Sequence, residues 1–397
     1  MKIGILTFHR PSNFGANLQA YSTTRYFQSK GHDVKVIDYV RESDLKYKSS
    51  VVETQYYAHK TFVETNLPLT EQIIDEEGLC RVVKQELFDV ILIGADAVWR
   101  SPKDNCIYFA KWLFEDENCK SVSVASVSPA HMGKGFRDQP ESTRGVIANC
   151  LRQFKYITVR DEWTKTVINR DIFDNKVLVE NVNPDPVIML SELIDGIVWD
   201  SALQKGKYYL MSLPNEWCDY PRLAAKRKKW FAKFKTLVNQ AGYKLVELPI
   251  PEGKSGLDFD YIVDYPIDPL QWFLWIKNAK AFCGVRFHAV VSSISNGTPF
   301  FSVDSYADKS TLSKLLDVIG LHSIARRKDK ASKIRNLLAG SDLEAFRTGP
   351  YLEFESPQRV FRQLDAMKRE DILSFRDRLR EIFNNNMRQI ISTVENE

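Results

Sequence analysis

The stretch IGILTFHRPSNFGANLQAYSTTRYFQSKGHDVKVIDY, residues 3–39, decides the fold. Ile3–Phe8 is short and apolar and opens the chain, which predicts a parallel strand buried on both faces. The loop His9–Gly15 carries Pro11, Asn13 and Gly15, residues that interrupt regular structure. From about Ala16 to Lys30, Leu18, Tyr21, Tyr26 and Phe27 fall at inward positions of a helix. Gly31 ends it, because a residue without a Cβ takes the left-handed backbone there freely. Val34–Tyr39 is a second apolar run. Strand, helix and strand in that order predict a parallel sheet with a right-handed crossover.

The same pattern recurs. Val90–Ile93 reads as a strand running into Gly94-Ala95-Asp96, and Ser121–Ala125 and Tyr156–Val159 as further strands, with a helix over Glu141–Phe154. Val177–Val179 leads into Asn183-Pro184-Asp185-Pro186, which the prolines stiffen. A second α/β run begins at Lys207. Its strands are Tyr208–Ser212, Lys244–Leu248, Phe282–Val285 and, last, Phe300–Val303; its helices are Arg222–Ala241, Pro269–Ala279 and Ala289–Asn296. Pro357–Val394 reads as almost entirely helical. A chain of 397 residues is too long for one core. The expectation is α/β: two Rossmann-like doubly wound domains facing a cleft, residues 1–195 and 205–345, with a long C-terminal helical segment, 355–397.

Lys and Arg total 55 against 51 Asp and Glu, a net charge of +4. That is far from the basic balance of a nucleic-acid binder, so no nucleic-acid partner is expected and at most a peripheral membrane contact. The basic stretch Lys226–Lys235 is most simply a solvated helix face, a membrane or partner surface being the alternative. Six cysteines, Cys80, Cys106, Cys119, Cys150, Cys218 and Cys283, include no C-x-x-C pair. Reduced thiols are expected, with neither a metal site nor a disulfide framework. The apolar start is too short for a signal peptide, and no segment approaches the roughly 20 apolar residues of a membrane span. A cytoplasmic protein is the expectation.

In open parallel sheets ligands bind beyond the carboxyl ends of the strands, so the residues there are the candidates. Asn13 and Gly15 follow the first strand, where a helix N-terminus offers N–H groups to an anion; the alternative is an ordinary loop. Asp96 and Trp99 follow Val90–Ile93 and suit sugar hydroxyls and a ring face, or else a helix cap and the core. Arg160 follows Tyr156–Val159 and either points its fork into a cleft or pairs with Asp161 or Glu162. Asp185 is a turn carboxylate or lines the cleft mouth. Gly284-Val285-Arg286-Phe287-His288-Ala289 carries the strongest signal: a strand ends, Arg286 and His288 emerge, and a helix begins. Arg286 is a permanent cation for phosphate or carboxylate. His288 sits in a first helical turn, which disfavours its protonated form. Asp304 to Lys309 follow the last strand and place another cation near that edge.

Taken in order, these pieces resemble the polysaccharide pyruvyl transferase family. ILTFHRPSNFGANLQAY with GHDVKVIDY is similar to that family's start, VILIGADAVWR to its Gly-x-Asp-x-Val-Trp segment, and VNPDPVIML to its Asp-Pro segment. ITVRDEWT is similar to its Arg-Glu strand end, with Asp161 where Glu is commoner. AFCGVRFHAVVSSISNGTPFFSVDSYADK matches most closely, with Arg-x-His, a Gly-x-Pro turn and a later Lys. Some family members have Ser two residues before the His; this chain keeps Arg286, which favours donor binding.

The resemblance implies a fold like the GT-B glycosyltransferases and phosphoenolpyruvate as donor, with no cofactor and no metal. It implies transfer of pyruvate as a ketal onto two hydroxyls of a sugar or glycan, free, lipid-linked or nucleotide-linked, with release of phosphate. His288 would then be the general acid, and Arg286, Arg160 and Lys309 would hold the donor. Asn13, Gly15, Asp96, Trp99 and Asp185 would line the cleft or meet the acceptor, the first domain being the acceptor side. Two other functions fit the residues: a GT-B glycosyltransferase using a nucleotide sugar, and a non-catalytic family member. Pro214–Pro221 and Pro249–Asp260 match no part of the resemblance.

Overall fold

A computed structural model of the chain describes residues 1–41, 44, 48, 50–100, 106–117, 119, 121–132, 135–194, 196–214, 217, 221–304, 332–349 and 351–395. The chain divides into two compact units. Unit 1 is Met1–Tyr47, His59–Asp195 and Arg378–Glu397; unit 2 is Lys48–Ala58 and Gly196–Asp377.

Unit 1 opens with β1 (Lys2–Leu6), α1 (Phe14–Ser29) and β2 (Asp33–Val36). Then follow α2 (Glu53–Asn66), whose first residues belong to unit 2, α3 (Glu76–Glu86), β3 (Val90–Ile93), α4 (Lys111–Glu115) and β4 (Ser123–Ser126). The unit continues with α5 (Glu141–Leu151), β5 (Thr158–Val159), α6 (Glu162–Asp171), β6 (Asn181–Val182) and α7 (Leu190–Leu193). The sheet order is β2-β1-β3-β4, all parallel, with β5 and β6 as a separate parallel pair. Every side chain of β3 and β4 is buried. That is why these strands read as unbroken runs of buried residues rather than as alternation.

Unit 2 carries β7 (Tyr208–Ser212), α8 (Pro221–Gln240), β8 (Lys244–Glu247), β9 (Tyr261–Ile262), α9 (Pro269–Lys277), β10 (Ala281–Gly284), α10 (Phe287–Asn296) and β11 (Phe300–Val303). After these come α11 (Lys333–Leu338), β12 (Arg347–Thr348), α12 (Pro357–Ala366) and α13 (Arg369–Glu395), whose residues from Arg378 onward belong to unit 1. The order β12-β11-β10-β7-β8-β9 is parallel throughout. On α8, Trp230, Phe231 and Phe234 enter the core while Lys226, Lys228, Lys229 and Lys233 face solvent. The basic-and-aromatic reading of that helix agrees with this. Among the described residues no helix is long and apolar enough to cross a membrane.

The structure refines the sequence reading at several points. Before Asn183 the pairing falls at β6, and the Asn183 N–H reaches the Val159 carbonyl at 2.8 Å. Phe300–Val303 is not the last strand, because β12 pairs with it through only two residues. Residues 357–394 are almost entirely helical, as expected, and form two helices. Between them Met367 turns extended (φ −67°, ψ 116°) and buries its thioether, whose sulfur accepts the Phe300 N–H at 3.4 Å. The polar helices α2 and α3 were not foreseen.

Helix α2 is fixed in unit 1 by a buried polar contact. His59 Nδ1 lies 2.6 Å from Asn17 Oδ1, and Asn17 in turn donates to the His9 carbonyl at 2.7 Å. Asn17 thus offers an oxygen to the imidazole, so Nδ1 carries the proton. Burial lowers the His59 pKa from 6.5 to about 3. A lowered histidine pKa gives stability that is complete above about pH 6.5 and is lost as the pH falls toward 3. From pH 7 to pH 5 the wild type should lose about 2 kcal/mol more unfolding free energy than His59→Gln, which has no imidazole to charge. Parallel losses in denaturant titrations of the two proteins would refute this.

Candidate active site

In unit 2 the central strands β10 and β7 approach so closely that only glycine fits at the end of β10. A Cβ on Gly284, whose φ is +156°, would lie 2.1 Å from the Ser212 carbonyl oxygen. Val285 N–H then donates to that same oxygen at 3.0 Å. The chain turns sharply through Arg286, which takes φ 89° and ψ 123° and begins α10. A positive φ in a residue with a long side chain costs on the order of 1–3 kcal/mol, an expense the surrounding packing must offset. The outcome is that Arg286 leaves the sheet at its carboxyl edge and His288 follows in the first turn of α10.

Arg286 Nη2 donates to Glu252 Oε2 at 2.6 Å, with the two side chains 38% and 33% exposed. Its side chain makes no capping bond to α10. A helix start of that kind, with a guanidinium beside it, suits an anion. The His288 ring is half-buried and stands edge-on to Phe287 at 5.1 Å. Glu247, at the end of β8, is buried and accepts the Ser255 N–H at 2.6 Å. Burial raises its pKa against the pull of the Ser255 bonds and Lys254. Tyr265 senses the same charges: burial raises its pKa first, Glu252 and Glu247 add to the rise, and Arg286 opposes it. Glu247, Glu252 and Tyr265 were missed because two lie in loops without pattern and the third reads as an ordinary strand residue. Asp304, at the end of β11, is tied to Arg347 at 3.1 Å and to the Ser332 hydroxyl. Lys309 lies outside the described residues.

In unit 1 the structure gathers Arg160, Asp185 and Asp96 from three separate strand ends. Arg160 Nη1 is 3.3 Å from Asp185 Oδ2 and 3.7 Å from Asp96 Oδ1. It does not pair with Asp161, whose Oδ1 instead caps α6 by accepting the Thr164 N–H at 2.7 Å. Its side chain is 2% exposed, and both carboxylates approach it at Nη1. Asp185 also accepts the Val187 N–H at 3.1 Å, so it serves its turn and Arg160 together.

Asn13 and Gly15 sit at the start of α1. The Asn13 Oδ1 accepts the N–H groups of Gly15 at 2.9 Å and Ala16 at 3.4 Å. The amides expected to meet an anion are therefore already capped. Trp99 is a core residue: it is 0% exposed, stacks on Phe109 at 5.4 Å, and donates from Nε1 to the Tyr108 carbonyl at 2.7 Å. Its ring is closed to a sugar.

A polar cluster beside β1 and β2 escaped the sequence reading, although its residues stand at strand ends. His9 Nε2 lies 2.8 Å from Asp38 Oδ1, and Arg10 grips Asp38 through Nε at 2.9 Å and Nη2 at 2.6 Å. Burial works to raise the Asp38 pKa, and the bonds from His9 and Arg10 outweigh it and leave it low.

The family model for polysaccharide pyruvyl transferase matches residues 13–306, the greater part of the chain. The chain belongs to that family. It is a family of transferases, and the match spans the strand ends of both units. Comparison with curated protein sequences finds no match. Among solved structures, the chain is similar to the UDP-GlcNAc 2-epimerase from Methanocaldococcus jannaschii, with a TM-score of 0.52 and 12% identity over 97% of this chain and 100% of that one. It is also similar to an alpha-glucosyltransferase in complex with UDP and a DNA containing a HMU base, with a TM-score of 0.49 and 12% identity over 98% and 99%. The glycosyltransferase SnogD from Streptomyces nogalater gives 0.48 and 11% over 99% of each chain. At such identities likeness speaks for fold alone. This pyruvyl transferase family member has an α/β fold of the GT-B type, with parallel sheets and a long C-terminal helix.

Glu252 competes with any anion for Arg286. Glu252→Gln should tighten binding of inorganic phosphate by roughly threefold to tenfold, because a neutral amide leaves the guanidinium charge uncompensated. Unchanged or weaker binding in calorimetry would show that Arg286 is not the anion's anchor.

Proposed function

We propose that this chain transfers pyruvate from phosphoenolpyruvate onto two hydroxyls of a sugar in a polysaccharide or its precursor, forming a ketal and releasing phosphate. The observation that carries the reading is the junction of β10 and α10. There a family sequence places a fixed guanidinium and an imidazole two residues apart at the carboxyl edge of a parallel sheet. Arg286 holds the carboxylate or phosphate of the donor. His288 gives a proton to the methylene carbon as the general acid, and the C=C π electrons form the new C–H bond. The adjacent carbon becomes an oxocarbenium-like centre, and a sugar hydroxyl attacks it and loses its proton. Phosphate then leaves with the C–O bond electrons, and the second hydroxyl closes the ketal. Two hydroxyl protons are released in all; one restores His288 and the other leaves with phosphate or solvent. Proton transfer by a positioned group is worth on the order of 10²–10⁴ in rate. Lys309 is a further candidate for holding the donor. The acceptor is a glycan, lipid-linked or nucleotide-linked forms included.

Phosphate release from phosphoenolpyruvate over a panel of glycan acceptors tests this directly. His288→Ala should lose about a hundredfold or more in kcat while keeping donor binding, and Arg286→Ala should chiefly weaken donor binding. Stabilisation by a nucleotide sugar and not by phosphoenolpyruvate would favour a glycosyltransferase instead. Binding of neither would favour a non-catalytic role.

A further inference from the structure

Beside α3 and α4, unit 1 assembles a second constellation. Cys80, Asp116 and Cys119 place their sulfur and carboxylate oxygen atoms within 4.8 Å of one another. Cys80 and Asp116 line a surface depression of about 780 Å³ with Trp112 and Lys84 among others, and Cys119 is buried beside them. We infer that Cys80, Asp116 and Cys119 form a binding site for a thiophilic divalent cation of the zinc type, distinct from the strand-end residues and independent of the proposed transferase chemistry.

The backbone explains why three residues so spaced can act together. Asp116 ends α4, and the Cys119 N–H returns to the Asp116 carbonyl at 3.0 Å, so Asp-x-x-Cys forms a tight turn that offers two ligands from one loop. Cys80 comes from the middle of α3, and its sulfur lies 3.7 Å from the Trp112 carbonyl, while Cys119 sulfur lies 3.9 Å from the Cys80 carbonyl. These are long contacts for a thiol donor, easily given up. Around a tetrahedral zinc ion with bonds of about 2.3 Å to sulfur, two sulfurs stand roughly 3.8 Å apart. The three groups therefore need to close by about 1 Å at most, within reach of side-chain rotation.

Charge and outer contacts fit as well. Lys84, one turn after Cys80, donates to Asp116 Oδ2 at 2.9 Å, the kind of partner that orients a ligating carboxylate. On binding, two S–H bonds break, two metal–sulfur bonds form and two protons pass to solvent. A divalent ion with two thiolates and one carboxylate carries one net negative charge, and the Lys84 ammonium balances it. Water would fill a fourth position facing the depression. Two thiolates and a carboxylate favour zinc or cadmium over magnesium or calcium, which take oxygen alone. A scan for C-x-x-C misses the site because its paired ligand is an aspartate and its third ligand is remote in sequence.

Chelator-treated, reduced full-length protein titrated with Cd²⁺ tests the site through the sulfur-to-metal charge-transfer absorption. The band should saturate at one equivalent per chain, and Zn²⁺ should displace it. Cys80→Ser and Cys119→Ser should each diminish the band and weaken binding by about tenfold or more. Asp116→Asn should weaken binding with the band retained, and Cys150→Ser should change neither. Because Cys119 is fully buried, the partly exposed Cys80 gives the deciding variant, with circular dichroism to verify that it is folded. No band at one equivalent in the wild type, or an unchanged band and affinity in folded Cys80→Ser, overturns the site.

Discussion

The approach of Gly284 to the Ser212 carbonyl leaves no room for a single methyl group, and the placement of Arg286 follows from it. Two parallel strands buried on both faces bring their carboxyl ends together at this point, and the close contact lets β10 stop and turn at once into α10. A side chain there would push the strands apart and move Arg286 away from the edge. The left-handed backbone at Arg286 is the second part of the same device, since it swings the guanidinium toward Glu252 instead of along the helix. Fold stability and the placement of Arg286 are in this sense one constraint.

That constraint was partly legible in the sequence. Val90–Ile93, Tyr208–Ser212 and Phe300–Val303 fall where their apolar runs place them. Arg286 and His288 stand at a strand–helix junction as read. What escaped depends on partners remote in the chain. Glu252 gains meaning only when its loop folds back to Arg286, and β12 pairs through two residues that carry no pattern of their own. Trp99 shows the reverse error. An indole after a strand looks available for a sugar, yet stacking on Phe109 and a bond to the Tyr108 carbonyl take it into the core. Asn13 is similar, since the loop that looked open to an anion closes its own helix.

Charged residues at strand ends thus divide into two kinds. Arg160, set between Asp185 and Asp96, is buried, and Arg10, gripping Asp38, is 12% exposed; each holds a buried carboxylate. Removing one partner of such a pair leaves the other charge buried and uncompensated, so these residues tie the ends of their loops. Arg286 is different: it is more than a third exposed, held among the described residues by one carboxylate that is a third exposed, and placed at the start of a helix. A cation so held can exchange its partner for a ligand. Burial and the number of partners, more than residue type, separate the structural arginines from the candidate for chemistry.

The central claim is that His288 delivers a proton to the donor's methylene carbon while Arg286 holds the donor's anionic end. Turnover in D₂O with phosphoenolpyruvate and a glycan acceptor, followed by NMR of the product, tests it most directly. The account predicts one deuterium in the ketal methyl group for each phosphate released, and loss of that incorporation in His288→Ala. Ketal formation at an undiminished rate in His288→Ala, or a product without deuterium, would contradict it.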